Sequence, residues 1–159
     1  MRLLVGPISA VGRLAGRADH VLSLISPDAE APALTQPRTL LRFNDIAEQR
    51  EGLIAPSAAM VETILTLRET PTLLIHCFAG VSRSTAAAYV LACAKRPAGE
   101  EQALATQLRS LSPEATPNVL MVALADVILD RGGAMTRAIA GIGRGVDAYE
   151  GAVIDWRLD

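Results

Sequence analysis

From Ala86 to Ala92 the chain reads Ala-Ala-Ala-Tyr-Val-Leu-Ala, a helix-forming run with no polar face. Such a helix belongs inside a protein, packed against a sheet, because any exposed side would present apolar surface to water. Just upstream, Thr72 to Ile75 is a short apolar run suited to a buried strand, and the two are joined by His76-Cys77-Phe78-Ala79-Gly80-Val81-Ser82-Arg83-Ser84-Thr85. A strand that enters a buried helix through one short loop sets an α/β layer architecture. It also holds the helix N-terminus rigidly at the end of the strand.

That loop carries chemistry. Cys77 stands between strand and helix, and thiols at helix N-termini beside cations ionise well below their ordinary range, so the placement predicts a thiolate. Aligned backbone N–H groups at such an end also bind phosphate dianions. Arg83, six positions on, offers a planar guanidinium that grips two phosphoryl oxygens at once, which a lysine does not. Gly80 permits the backbone conformations of a tight anion cradle, and Ser84 can donate to sulfur when it becomes a leaving group. His76 is expected to orient the loop through its ring N–H and to add to the thiolate's stabilisation. A bare C-x5-R pattern says little, but H-C-x-x-G-x-x-R-[ST] is restrictive. Reading Cys77 as a structural cysteine and Arg83 as a surface charge leaves the glycine, histidine and serine unexplained.

The segment resembles the signature loop of the cysteine-based protein tyrosine and dual-specificity phosphatases, most closely their small bacterial members. The resemblance implies Cys77 as nucleophile, Arg83 as phosphate and transition-state clamp, and Ser84 as the hydroxyl assisting breakdown of a phosphocysteine. Phe78, Ala79, Gly80, Val81, Ser82 and Arg83 would form the phosphate-binding loop. It further implies an aspartic acid on a separate upstream loop.

Asp45 fits that role. Leu40-Leu41-Arg42-Phe43 reads as a strand, and Asn44-Asp45-Ile46 follows where a loop begins. The small dual-specificity members also have an Asn-Asp pair in this place. A departing alkoxide or phenolate needs a proton, and a carboxyl on a second loop can deliver it and then activate water. Aspartate after a strand is also a common turn or cap residue. Asp28 and Glu48 are the substitutes if Asp45 is only that.

The chain has 159 residues, half of them hydrophobic and a fifth charged, enough for one well-buried core and too few to expect two. One catalytic domain is expected over residues 1–159, with 134–159 a C-terminal extension of unassigned role. A net charge of −2 without a dense basic stretch gives no footprint for nucleic acid or an anionic membrane surface. Cys77 and Cys93 are the only cysteines. A disulfide between them would consume the nucleophile, so a reducing, cytoplasmic setting is implied. Cys93 reads as a small core residue. Lys95 is the only lysine, and alanine is abundant, a bias that hints at a bacterial source. Met1 to Val5 is read as a first strand rather than a secretory leader, since Gly6, Pro7 and Gly12 interrupt the apolar stretch. No run approaches the length of a membrane span.

Strands are expected at Arg2–Val5, His20–Ile25, Thr39–Phe43 and Leu73–His76. Helices are expected through Ala10–Ala18, from a Ser57 cap through Met60, Val61, Ile64, Leu65 and Leu67, over Arg83–Lys95, around Glu100–Leu111, and from Pro117 to Arg131. Ser26 to Pro37 is a Pro-rich loop, and Gly132-Gly133 should break or kink the last helix. The alternation predicts a single, mostly parallel central sheet of four to five strands flanked by helices, in keeping with the phosphatase resemblance. Pro117-Asn118 before an apolar helix adds to it.

Gly141-x-Gly143-x-Gly145 follows no expected strand, so it reads as a flexible connector rather than a nucleotide loop. Two histidines on different strands make no metal site, and no cofactor is expected. Tyr149 and Trp156 are read as packing residues. The expected partner is a phosphorylated protein or a small phosphomonoester, and the variable loop positions lack the lysines that would meet a multiply phosphorylated ligand. The oligomeric state is not legible. Three alternatives stand beside the protein phosphatase reading. They are an inositol polyphosphate or phosphoinositide phosphatase, a phosphopeptide-binding module without turnover, and a sulfur-transfer enzyme.

Overall fold

The computed structural model describes residues 1–159. Five strands form one sheet in the order β3-β2-β4-β1-β5: β1 (Arg2–Pro7), β2 (His20–Ile25), β3 (Arg38–Arg42), β4 (Thr72–Cys77) and β5 (Ile154–Arg157). The first four are mutually parallel, and β5 runs antiparallel along β1. The sheet is therefore mostly parallel and flanked by helices, as the alternation of apolar runs predicts.

Strand geometry sends alternate side chains to opposite faces, and each face has its own core. Leu3, Val5, Leu22, Leu24, Leu73 and Ile75 join the larger core under the helices α2 (Ala58–Leu65), α3 (Arg83–Lys95), α4 (Glu101–Leu111), α5 (Val119–Ile128) and α6 (Ala134–Ile142). Leu4, Val21 and Leu74 point the other way, onto Val11 and Leu14 of the single-turn α1 (Val11–Leu14). Every residue of α3 from Arg83 to Cys93 is buried, which is what its lack of a polar face demands. At roughly 1.5–3 kcal/mol for each large apolar side chain taken out of water, this packing anchors the helix N-terminus.

Several expectations are corrected. The helix expected over Ala10–Ala18 is a broken series: a 3-10 turn at Ile8–Ala10, α1, and a second 3-10 turn at Ala15–Arg17. Gly12 and Gly16 supply little helix propensity across that stretch. The helix expected from Pro117 starts at Val119, where the Asn118 side chain accepts from the Met121 amide at 3.0 Å as an N-cap. It ends at Ile128, and positive φ at Asp130, Gly132 and Gly133 turns the chain into α6. Neither α6 nor β5 is legible in the sequence. No helix is long and apolar enough to cross a membrane.

Candidate functional site

In parallel sheets the loops at the carboxyl ends of the strands gather along one edge. Here all four parallel strands deliver something to it. β4 ends at Cys77, β3 leads to Phe43 and Asp45, β2 to Ser26, and β1 to Pro7 and Ile8. Because β5 is antiparallel, the segment entering it, residues 143–153, reaches the same edge.

The loop from Cys77 to Arg83 is turned with its carbonyls outward. The Phe78 carbonyl accepts from the Ile8 amide (3.0 Å), Ala79 from Gly151 (2.8 Å), Val81 from Thr116 (2.9 Å) and Ser82 from Asn118 (3.3 Å). The amides of Phe78, Ala79, Val81 and Ser82 donate to no backbone carbonyl, so the inner rim of the loop keeps a set of free donors, a nest for an anion. Gly80 makes the turn at φ +72°. A Cβ there would lie 2.5 Å from the Pro7 nitrogen and 2.6 Å from the Gly6 carbonyl carbon, so no other residue fits.

Cys77 sits at the floor, 3% exposed. Its Sγ lies 3.2 Å from Ser84 Oγ and accepts from the Gly80 amide at 3.3 Å. Arg83, also buried, donates through Nη1 to the Phe43 carbonyl (2.9 Å) and Ser26 Oγ (3.3 Å), with its guanidinium 5.9 Å from the Phe43 ring centroid. Its Nε has no partner in the protein although it is buried. A buried donor without an acceptor is costly, and an anion held in the loop would satisfy it. The structure thus brings Cys77 and Ser84 into contact, with Arg83 buried at the first position of the helix that follows.

Asp45 stands beside Ser82. Its loop is shaped by Asn44, whose amide donates to the Ile54 carbonyl (2.7 Å) and whose Oδ1 accepts from the Ile54 amide (2.9 Å). Asp45 Oδ1 accepts from Ser82 Oγ at 2.7 Å and from Asn118 Nδ2 at 2.8 Å. Both donors use the same oxygen, which leaves Oδ2 unengaged. Neither substitute is hydrogen-bonded to the loop: Glu48 pairs with Arg50 at 3.2 Å, and Asp28 makes no bond to it.

His76 is fully buried, with Nε2 2.7 Å from Ser23 Oγ across the β2–β4 pairing. Burial pushes its pKa down to about 4; the Cys77 backbone opposes this, and the positive Arg38 and Arg83 add to the lowering. The ring is neutral at pH 7, so it places no positive charge beside the sulfur. Its bond to Ser23 ties the end of β4 to β2. Cys93, in the core, has a thiol pushed up to about 12, chiefly by burial.

No protein-family model matches the chain, and no curated protein matches it in sequence. Solved structures do. Tk-PTP, crystallised in its active form, aligns with a TM-score of 0.57 at 21% identity, covering 79% of this chain and 88% of its own. The Yvh1 phosphatase domain from Chaetomium thermophilum aligns at 0.55 and 18% identity, covering 84% and 93%. A mouse putative dual specificity phosphatase aligns at 0.56 and 21%, covering 86% of each chain. The fold is that of the tyrosine and dual-specificity phosphatases. In this phosphatase-like sheet the expected signature segment supplies the loop after β4.

Several site residues have no advance signal in the sequence. Asn118 belongs to a dipeptide noted for its resemblance, but nothing in the chain indicates that its amide reaches Asp45. Ser23, Ser26 and the Phe43 carbonyl are ordinary strand-end groups until the sheet assembles. Tyr149, expected to pack, is 81% exposed, whereas Trp156 is buried.

Proposed function

We propose that the chain is a phosphomonoester hydrolase, a protein tyrosine or dual-specificity phosphatase working through a phosphocysteine. The observation that carries this is the loop after β4, whose Phe78, Ala79, Val81 and Ser82 carbonyls are engaged outside while the amides of the same four residues stay free beside Cys77, with the Nε of buried Arg83 left without a partner.

In the first step the Cys77 thiolate attacks phosphorus. The S–P bond forms, the ester P–O bond breaks, and Asp45 gives its proton to the leaving oxygen. Arg83 and the loop amides hold the three equatorial oxygens as charge redistributes over them. With Oδ1 fixed by Ser82 and Asn118, Oδ2 is the oxygen that carries and delivers the proton. In the second step Asp45, now a carboxylate, takes a proton from water. Water oxygen bonds to phosphorus, and the S–P bond breaks with Ser84 donating to the departing sulfur at the 3.2 Å contact. The sum is ester plus water giving alcohol and inorganic phosphate, with the enzyme restored. The loop side chains Phe78, Ala79, Val81 and Ser82 add no cation beyond Arg83, which favours a singly phosphorylated substrate.

Hydrolysis of an aryl phosphate, a phosphotyrosine peptide and an inositol polyphosphate by the native chain tests this. Turnover of the first two, loss of kcat by four orders of magnitude or more in Cys77→Ser, and a roughly 10²–10³-fold loss in Asp45→Asn are expected. Appreciable turnover by Cys77→Ser would remove the covalent route. Preference for the inositol ester would move the substrate class.

A further inference from the structure

The chain has only five aromatic side chains. Phe43, Tyr89 and Trp156 are buried in the core, and the other two, Phe78 and Tyr149, are 56% and 81% exposed. Yet these two are not scattered. They meet edge to face, with ring centroids 6.4 Å apart and planes at 83°, and Phe78 is the residue directly after Cys77. An aromatic pair left in water beside a reactive loop exposes apolar area that folding does not need.

The segment that brings Tyr149 there is pinned on both sides. Upstream, the Gly145 amide donates to Thr116 Oγ1 (3.0 Å) and the Val146 amide to the Pro113 carbonyl (3.0 Å). A Cβ at Gly145 would meet the Glu114 backbone at 2.5 Å. Downstream, the Gly151 amide donates to the Ala79 carbonyl of the phosphate loop (2.8 Å), and a Cβ there would lie 2.7 Å from the Gly80 oxygen. Between these pins a cavity is lined by Asp45, Val81 and Ser82 on the loop side, by Thr116, and by Arg144 and residues 146–148, which lead directly to Tyr149. In the proposed reaction the ester oxygen lies at Asp45, so the organic part of the substrate extends outward toward this segment.

We propose that residues 144–151 form a substrate-selecting wall in which Tyr149 and Phe78 receive the ring of an aryl phosphate, the phosphotyrosine class, in preference to an alkyl one. The inference rests on the phosphatase reading above. Stacking or edge contact with an aromatic leaving group gains dispersion and quadrupole terms that a serine or threonine side chain cannot return. The wall acts on the leaving group and not on the phosphate, so it sets KM for aryl substrates and leaves the chemistry at sulfur alone.

The test is the ratio of kcat/KM for a phosphotyrosine peptide to that for the same peptide carrying phosphothreonine, in the native chain, Tyr149→Ala and Tyr149→Phe. The ratio should fall about three- to tenfold in Tyr149→Ala through a higher KM for the phosphotyrosine peptide. It should hold in Tyr149→Phe, which keeps the ring. A ratio unchanged in Tyr149→Ala, or both substrates losing equally, overturns the wall while leaving the phosphatase reading intact. A native chain that turns over neither peptide sinks both.

Discussion

Behind the Cys77–Arg83 loop stands α3, buried without interruption from Arg83 to Cys93, and in front of it passes the segment 143–153, with Val146 and Tyr149 mostly exposed. The helix is held by apolar packing on every face. The segment is held by a few backbone hydrogen bonds, two of them at glycines that have no room for a side chain. Packing of the first kind leaves the position of Cys77 and Arg83 little freedom, because close-packed interiors do not deform gradually. Attachment of the second kind specifies a path for the backbone and leaves its side chains open to change. The difference suggests a division of labour: the rear of the site holds groups whose geometry must not vary, and the front holds groups that meet whatever is attached to the phosphate.

Substitutions that separate the two regions put that division at risk, and the largest effect is expected at Gly80. Ala at this position overlaps the backbone of β1 at 2.5 Å, so the loop must shift away from Pro7 and its amides lose their common target. A loss of kcat on the order of 10²–10³ is expected for Gly80→Ala, the scale of removing an oxyanion donor. Gly52→Ala is the control. Its φ is +76°, close to that of Gly80, but nothing lies within 4 Å, so the cost is confined to about 1 kcal/mol of strain in a chain that keeps native kcat. Equal kinetic effects at the two glycines would show that backbone strain, not the close approach of β1, governs the loop.

The rear of the site should also be the acid-sensitive part. His76 takes up a proton near pH 4 in the folded chain and near 6.5 in the unfolded one. Between those values the unfolded state binds more protons, so stability is fully present above pH 6.5 and falls as the pH drops toward 4. The loss reaches about 3 kcal/mol. His20, also lowered by burial, adds in the same direction. Urea unfolding measured from pH 7 to 4.5 should show this slope in the native chain and most of it removed in His76→Gln. A slope that survives the substitution would mean that other groups hold the rear of the site together at low pH.

The smallest effect is expected at Asn118, where rear and front meet. Asn118→Ser keeps an oxygen to cap α5 but withdraws the amide that reaches Asp45 at 2.8 Å. Losing the hydrogen bond to a charged group, together with the one the same amide gives the Ile46 carbonyl at 3.1 Å, predicts about a tenfold drop in kcat. Unfolding midpoints should stay close to native. A large fall in stability with unchanged kcat would make Asn118 a cap and nothing more.

What could be read in advance follows the range of the interactions. β2 at His20–Ile25 and α3 at Arg83–Lys95 lie where apolar patterning puts them, and the Ser57 side chain caps α2 by accepting from the Met60 amide at 3.3 Å. These features depend on neighbours within a turn or two. β5 shows the limit. Its Ile154 and Trp156 face inward and its Asp155 and Arg157 outward, a strand alternation, but over only four residues near the chain end. α6 was hidden by the glycines on either side of it, which read as connectors.

The loop after β4 is encoded locally, because Cys77, Gly80, Arg83 and Ser84 lie within eight consecutive residues between a strand and a helix that apolar patterning identifies. Tertiary structure alone decided what surrounds it. Asp45 meets Ser82 across 37 positions and Asn118 across 73, Arg83 meets the Phe43 carbonyl across 40, and Gly151 reaches back to Ala79. Contacts at such separations depend on strand order and on the antiparallel return of β5, and no periodicity within a short window encodes them.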